Sequence, residues 1–245
     1  MSHSRAPVLC SLVATAVLGK PHSVRYEPCT RSITALRTLP CPADDPRCIS
    51  DAAKAGVAAA VAAGAKAPLV QVTAAVAGFG GEYARATLLA AAGALEACYS
   101  TIQTREARGE AAAEPVTALG FWFEGVDAAD ADAAITKAVA VEKGRRVARD
   151  ICSGDPERMA PPACAEYIEA TFAGLKNITV EVESDFDTIT ATYPLLAAVS
   201  RADKMVPRHH PRIVTVTYTP AGGFSKHVAI VGKGVTYDTG EDSPH

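Results

Sequence analysis

Apolar positions fall into two alternating rhythms along the chain, short unbroken runs and longer stretches with helical spacing. Pro68 to Val72 (PLVQV) reads as a buried strand, and Val116 to Phe123 (VTALGFWF), closed by Glu124-Gly125, as another. Between them Gly78-Phe79-Gly80-Gly81 marks a turn, and Glu82 to Tyr99 has the Ala- and Leu-rich composition of a helix. Pro7 to Gly19 (PVLCSLVATAVLG) is a further apolar run and fits a first buried strand. Following Arg5, it also has the outline of a short signal peptide. Pro40 to Arg47 (PCPADDPR) is loop by composition. Strands that alternate with helices predict an α/β fold with a mostly parallel sheet covered on both faces.

From Asp127 to Cys152 a single long helical pattern follows. Acidic residues stand at its start (Asp127, Asp130, Asp132) and basic ones near its end (Lys143, Arg145, Arg146), the polarity that suits a helix dipole. It predicts a helix connecting two domains. Ser153-Gly154-Asp155-Pro156 closes it, and a second rhythm begins: helix over Pro161 to Gly174, strand over Ile178 to Val182, helix over Asp185 to Ser200, strands over Arg212 to Tyr218 and His227 to Val231. The expected organisation is a small α/β domain over residues 1–126, a connecting helix over 127–152 and a second α/β domain over 153–245.

Composition narrows the function classes. A net charge of −3 with scattered Lys and Arg gives no clustered basic face for nucleic acid or an anionic membrane. The densest run, Lys143-Gly144-Arg145-Arg146, lies in the helical pattern and reads as a solvated helix face. No stretch approaches the roughly 20 apolar residues of a membrane span. The seven cysteines (Cys10, Cys29, Cys41, Cys48, Cys98, Cys152, Cys164) include no CxxC, which points to reduced, mostly buried thiols in a cytoplasmic protein.

Candidate chemistry gathers at the end of the last apolar run. Past His227 to Val231 comes Gly232-Lys233-Gly234-Val235-Thr236-Tyr237-Asp238-Thr239-Gly240. Ligands in open α/β sheets bind beyond the carboxyl ends of strands. Glycines on both sides of Lys233 would let the backbone turn and bring its amine over the sheet edge, within reach of the Asp238 carboxylate. A phosphate-binding loop is excluded because Gly234 stands where Ser or Thr is needed, and a dinucleotide fingerprint lacks its third glycine. A metal site and an ordinary salt bridge between Lys233 and Asp238 both remain open from the residues alone. The adjacent His209 and His210 read as surface residues. His227 carries no assigned role, Phe121, Trp122 and Phe123 read as core or domain interface, and the glycine turn at 78–81 as a tight turn rather than an anion site.

The run Val228 to Gly240 (VAIVGKGVTYDTG) closely resembles the signature with which leucine aminopeptidases, or cytosol aminopeptidases, enter their two-metal centre. Val147-Ala148-Arg149-Asp150, Tyr193 to Arg201 and Pro211 to Tyr218 are similar to the segments that precede it, so the resemblance covers roughly Val139 to Gly240. It implies Lys233 as an amine ligand and Asp238 as a carboxylate ligand of two divalent ions (zinc, manganese or magnesium). It implies hydrolysis of N-terminal residues from peptides, the ions activating water, polarising the scissile carbonyl and holding the free amine. A homo-oligomer, a hexamer in the family, is implied as well.

Glu241 to His245 match nothing in the family, and the further acidic ligands, a catalytic lysine and an arginine belong to later segments of it. The expectation is therefore a truncated, incomplete catalytic domain without activity of its own, since one amine and one carboxylate leave two dications largely uncompensated. The run His227 to Val231 would then lack a neighbour, an edge that invites association. The alternative is a non-catalytic interaction module that binds a full-length relative or another protein.

Overall fold

A computed structural model describes residues 24–26, 33–35, 46–72, 85–109 and 114–236. The chain divides into two compact units, Met1–Arg146 and Val147–His245. In the first unit the short strands β1 (Val24–Tyr26) and β2 (Ile33–Ala35) pair antiparallel, with Arg25 opposite Thr34. Helix α1 (Arg47–Ala62) follows, then β3 (Leu69–Val72), α2 (Ala86–Glu96), α3 (Ile102–Arg108) and β4 (Gly120–Phe123). Strands β3 and β4 run parallel, Val70 opposite Phe121 and Val72 opposite Phe123.

Helices α1 and α2 owe their contact to small residues. Ile49, Ala53, Val57 and Ala60 recur at helical spacing on α1 and are buried, facing Ala86, Ala90, Ala91 and Ala94 of α2. The approach is closest at Gly93, where an added Cβ would lie 2.0 Å from the backbone oxygen of Ser50. Val70, Phe123 and Cys98 complete this core, joined by Ala138 from helix α4 (Ala128–Ile151). The Asp127 carboxylate accepts a bond of 2.9 Å from the Asp130 amide and caps the start of α4. Trp122, expected in a core or interface, is 58% exposed on β4, while Phe123 is buried and its ring stacks on Phe121 at 5.6 Å. Successive strand residues face opposite sides of a sheet, so Trp122 points away from the side that holds Phe123.

In the second unit α5 spans Pro161–Phe172, with Pro at its first turn. Buried Asp150, at the end of α4, accepts a 2.6 Å bond from the Tyr167 hydroxyl on α5. Strands β5 (Ile178–Glu183) and β6 (Ile213–Tyr218) pair over six residues, from Ile178↔Tyr218 to Glu183↔Ile213. This pair is antiparallel, unlike the parallel pair β3–β4 of the first unit, the part of the chain whose alternation of strands and helices had suggested a mostly parallel sheet. The intervening helices bring the chain back alongside β5 in the opposite sense.

The helix expected over Asp185 to Ser200 is two helices, α6 (Phe186–Thr192) and α7 (Pro194–Ser200), broken at Tyr193 with φ −121° and ψ 79°. The proline ring disfavours helical backbone in the residue before it. Short 3-10 turns over Arg201–Met205 and Pro207–His209 carry the chain to β6.

Residues His227 to Val231, expected as a strand, have no regular structure, and Val228, Ile230 and Val231 are 82%, 92% and 94% exposed. A strand exists only where a neighbour takes up its amides and carbonyls. No described residue does so for this run.

Candidate metal-signature site

The signature follows the exposed run directly. Gly232, Lys233 and Gly234 are exposed coil, so the Lys233 amine stands on a solvent-exposed stretch rather than over a sheet edge. Neither glycine has a positive φ, and a Cβ on either would meet nothing within 4 Å. Asp238 lies outside the described residues, as do Tyr237, Thr239 and Gly240, the first apolar run at 7–19 and the glycine turn at 78–81. Among the described residues no group of three or more His, Cys, Asp or Glu side chains is placed to hold a metal ion. Those residues do not fit a two-cation centre by themselves, since one exposed amine offers no negative oxygen to offset the charge.

Gly234, Val235 and Thr236 form one wall of a cavity of about 330 Å³ in the second unit. Leu196 and Val199 of α7, Pro211 and Val235 give it apolar surface, Glu157, Asp203 and Arg212 bring charge to its lining, and His209 adds a polar ring. Glu157 is the hub of a small network. Its carboxylate accepts bonds of 3.0 and 3.2 Å from the Arg208 guanidinium and contacts His209 Nε2 at 2.8 Å. Arg208, then His209, hold the Glu157 carboxyl down at about 2. Asp155 organises the turn below, accepting from the amides of Glu157 and Arg158 at 3.1 Å each. His210 packs its ring on Phe186 at 4.8 Å, and Arg212 Nη1 donates to the carbonyls of Pro211 and His210 at 2.9 and 3.2 Å.

His209 thus has an ion-pair partner rather than a metal-site role, and His227 is exposed with its ring edge against Phe224. Sequence reading passed over Glu157, Asp203 and Arg212. Glu157 and its partner Arg208 are separated by 51 positions, and no local pattern announces a contact at that range.

The basic run of α4 is engaged within the first unit. Arg145 pairs with Glu96 at 3.0 Å, Arg146 with Glu114, and the Arg146 guanidinium lies 5.7 Å from the Tyr99 ring. Among the described cysteines, all free thiols, Cys98 is buried, Cys48 and Cys164 are partly buried and Cys152 is exposed. The expectation of mostly buried thiols thus holds for one of the four. Burial first, then the Glu114 charge, pushes the Cys98 thiol up to about 11.

Comparison with known proteins bears on this geometry. The catalytic domain of the cytosol aminopeptidase family matches residues 146–243, a stretch that includes the signature and runs slightly past Gly240. A Caenorhabditis elegans protein named "Putative aminopeptidase W07G4.4" is 37% identical over 198 residues, 80% of this chain and 36% of that protein. A "Probable cytosol aminopeptidase" of Clavibacter michiganensis is 32% identical over 111 residues, 45% of this chain and 21% of its own length. Another, of Aeropyrum pernix, is 32% identical over 103 residues, 42% of this chain and 20% of its own. The chain therefore spans between about a fifth and about a third of the length of these relatives. Among solved structures, "Bottromycin maturation enzyme BotP in complex with Mn" superposes with a TM-score of 0.65 at 19% identity, covering 87% of this chain and 46% of that one. That likeness supports the α/β fold expected from the sequence. Residues 146–243 thus match part of the catalytic domain of the cytosol aminopeptidase family, and relatives carrying that family's name align with this chain.

Proposed function

We propose that this chain contributes part of a metal-dependent aminopeptidase, a hydrolase that removes N-terminal residues from peptides in the cytoplasm. The observation that carries the reading is the family match over residues 146–243, which takes in Lys233 and Asp238 within VAIVGKGVTYDTG. In this reading Lys233 supplies an amine and Asp238 a carboxylate to a centre of two divalent ions, zinc, manganese or magnesium. A manganese ion is named for the BotP structure, and family membership extends the same kind of ion to this chain. Bound there, such ions would supply a polarised carbonyl and an activated water.

Among the described residues no group of three or more His, Cys, Asp or Glu side chains is placed to hold a metal ion, and in this reading the 245-residue polypeptide by itself is inactive. The proposed organisation is an N-terminal α/β domain over 1–126, a connecting helix over 127–152 and part of the catalytic domain over 153–245. Self-association, as in the hexamer expected of the family, is part of this reading. The test is equilibrium dialysis with zinc and manganese, together with hydrolysis of leucine p-nitroanilide, on the purified 245-residue chain. Weak metal uptake that falls further in Lys233→Ala and Asp238→Asn, without hydrolysis, is the expected result. Tight uptake of two ions per chain with turnover would overturn the claim of incompleteness. Uptake indifferent to both substitutions would overturn the ligand assignment.

The exposure of Val228, Ile230 and Val231 favours a second reading, a non-catalytic module that binds a full-length relative or another protein through this unpartnered stretch. Recovery of a stoichiometric complex with a longer family member, lost in Ile230→Lys, would favour it over the first.

A further inference from the structure

The cavity behind the signature loop carries two opposite charges that do not meet. Asp203, in the turn after α7, and Arg212, at the start of β6, both line it. Among the described residues the Asp203 carboxylate has no hydrogen-bond or ion-pair partner. Every bond of Arg212 runs from Nη1 to a carbonyl, of Ser184, His210 or Pro211, leaving Nε and Nη2 without a partner there. The other charged group of the lining, Glu157, is engaged by Arg208 and His209. Leu196, Val199 and Val235 give the same cavity apolar surface.

An acid and a guanidinium that share a cavity without closing on each other leave room for a molecule with both complements. The guanidinium presents planar paired donors that suit a carboxylate, and the Asp203 oxygens accept from an ammonium. At about 330 Å³ the space is at the small end for a ligand pocket. We infer that this cavity binds a small zwitterion with an apolar side chain, its ammonium on Asp203, its carboxylate on Arg212 and its side chain against Leu196, Val199 and Val235. A free α-amino acid and a dipeptide share this chemistry and differ in the separation of their charges. The small cavity favours the amino acid. The inference concerns binding alone and does not rest on the peptidase reading.

The test is a 1H–15N NMR titration of the full 245-residue chain with L-leucine, leucinamide, N-acetylleucine and the dipeptide Leu-Leu. Expected are saturable shifts at Ser200, Asp203, Val235 and Thr236 with leucine. Each derivative lacking one charge should bind at least about tenfold more weakly. Leu-Leu matching or exceeding leucine would overturn the assignment to a single amino acid in favour of the dipeptide. Asp203→Asn, an isosteric change on a partly exposed turn, should reduce leucine to the affinity of N-acetylleucine. Arg212→Lys should cut leucine binding while leaving leucinamide unchanged. Arg212 also braces backbone carbonyls, so the Asp203 variant decides if the Arg212 variant fails to fold. Equal binding of leucine and either derivative, an unaffected Asp203→Asn, or no saturable shift at these residues would each overturn the inference.

Discussion

At the scale of single residues, charge is controlled by contacts between distant parts of the chain. Glu157 is exposed yet holds its proton weakly, because Arg208 and His209 favour the carboxylate. Its folded value, about 2, is below the ordinary 4.5, so its contribution to stability is present above the unfolded value and is lost as pH falls from about 4.5 towards 2. The expected outcome is that the Arg208 and His209 side chains detach from Glu157 in this acid window, seen as an NMR transition at the His209 ring that is absent in Glu157→Gln. Thiol chemistry differs just as sharply between positions. With the Cys98 thiol pushed up to about 11 and buried, and Cys152 exposed, iodoacetamide at pH 8 should label Cys152 in the native protein and spare Cys98 until unfolding. Peptide mass mapping of labelled sites over time checks the order.

At the scale of elements, the contact between α1 and α2 depends on a missing side chain. Gly93 is an unfavourable residue inside a helix, and Ala would ordinarily improve it by up to about 1 kcal/mol. Here the new methyl would sit 2.0 Å from a backbone oxygen of the facing helix, which cannot swing away as a side chain does. Overpacking should win, so Gly93→Ala is expected to destabilise the first unit by roughly 1–3 kcal/mol, read from urea unfolding. A lower midpoint with an unchanged slope would match loss of packing alone.

Helix and strand identities in both units were largely legible from the hydrophobic pattern. Leu69–Val72, Ala128–Ile151, Pro161–Phe172, Ile178–Glu183 and Ile213–Tyr218 all lie within or beside the stretches the periodicity marks. The failures have physical causes. Pro194 splits a stretch whose composition is helical throughout, and His227 to Val231 has strand composition but no neighbour. Among the candidate ligands Lys233 could be named from the signature but its surroundings could not.

At the scale of the molecule, apolar exposure among the described residues is concentrated in the second unit. Val228, Ile230 and Val231 stand in water, with Leu195 and Met205 also exposed in that unit. Such stretches associate unless something covers them. The 245-residue chain is expected to show concentration-dependent association in sedimentation velocity, reduced in Ile230→Lys. Because the substitution lies in coil, the unfolding midpoint should stay unchanged. Equal association in the variant would place the contact elsewhere. The same segment should exchange its amide hydrogens within seconds while β5 and β6 are protected, since only the latter form a ladder.

The α/β class, several of the helices and strands and the aminopeptidase signature are properties of neighbouring residues, and the amino-acid sequence alone determined them. Periodicity, proline placement and a thirteen-residue motif act over a few positions and need no knowledge of the chain's path. Which charges find one another was decided only by tertiary structure. Glu157 reaches Arg208 across 51 positions, Arg146 pairs with Glu114 across 32, and Asp203 and Arg212 line one cavity without pairing. Electrostatic and packing energies depend on distance in space, and folding brings together groups whose separation along the chain carries no trace of it.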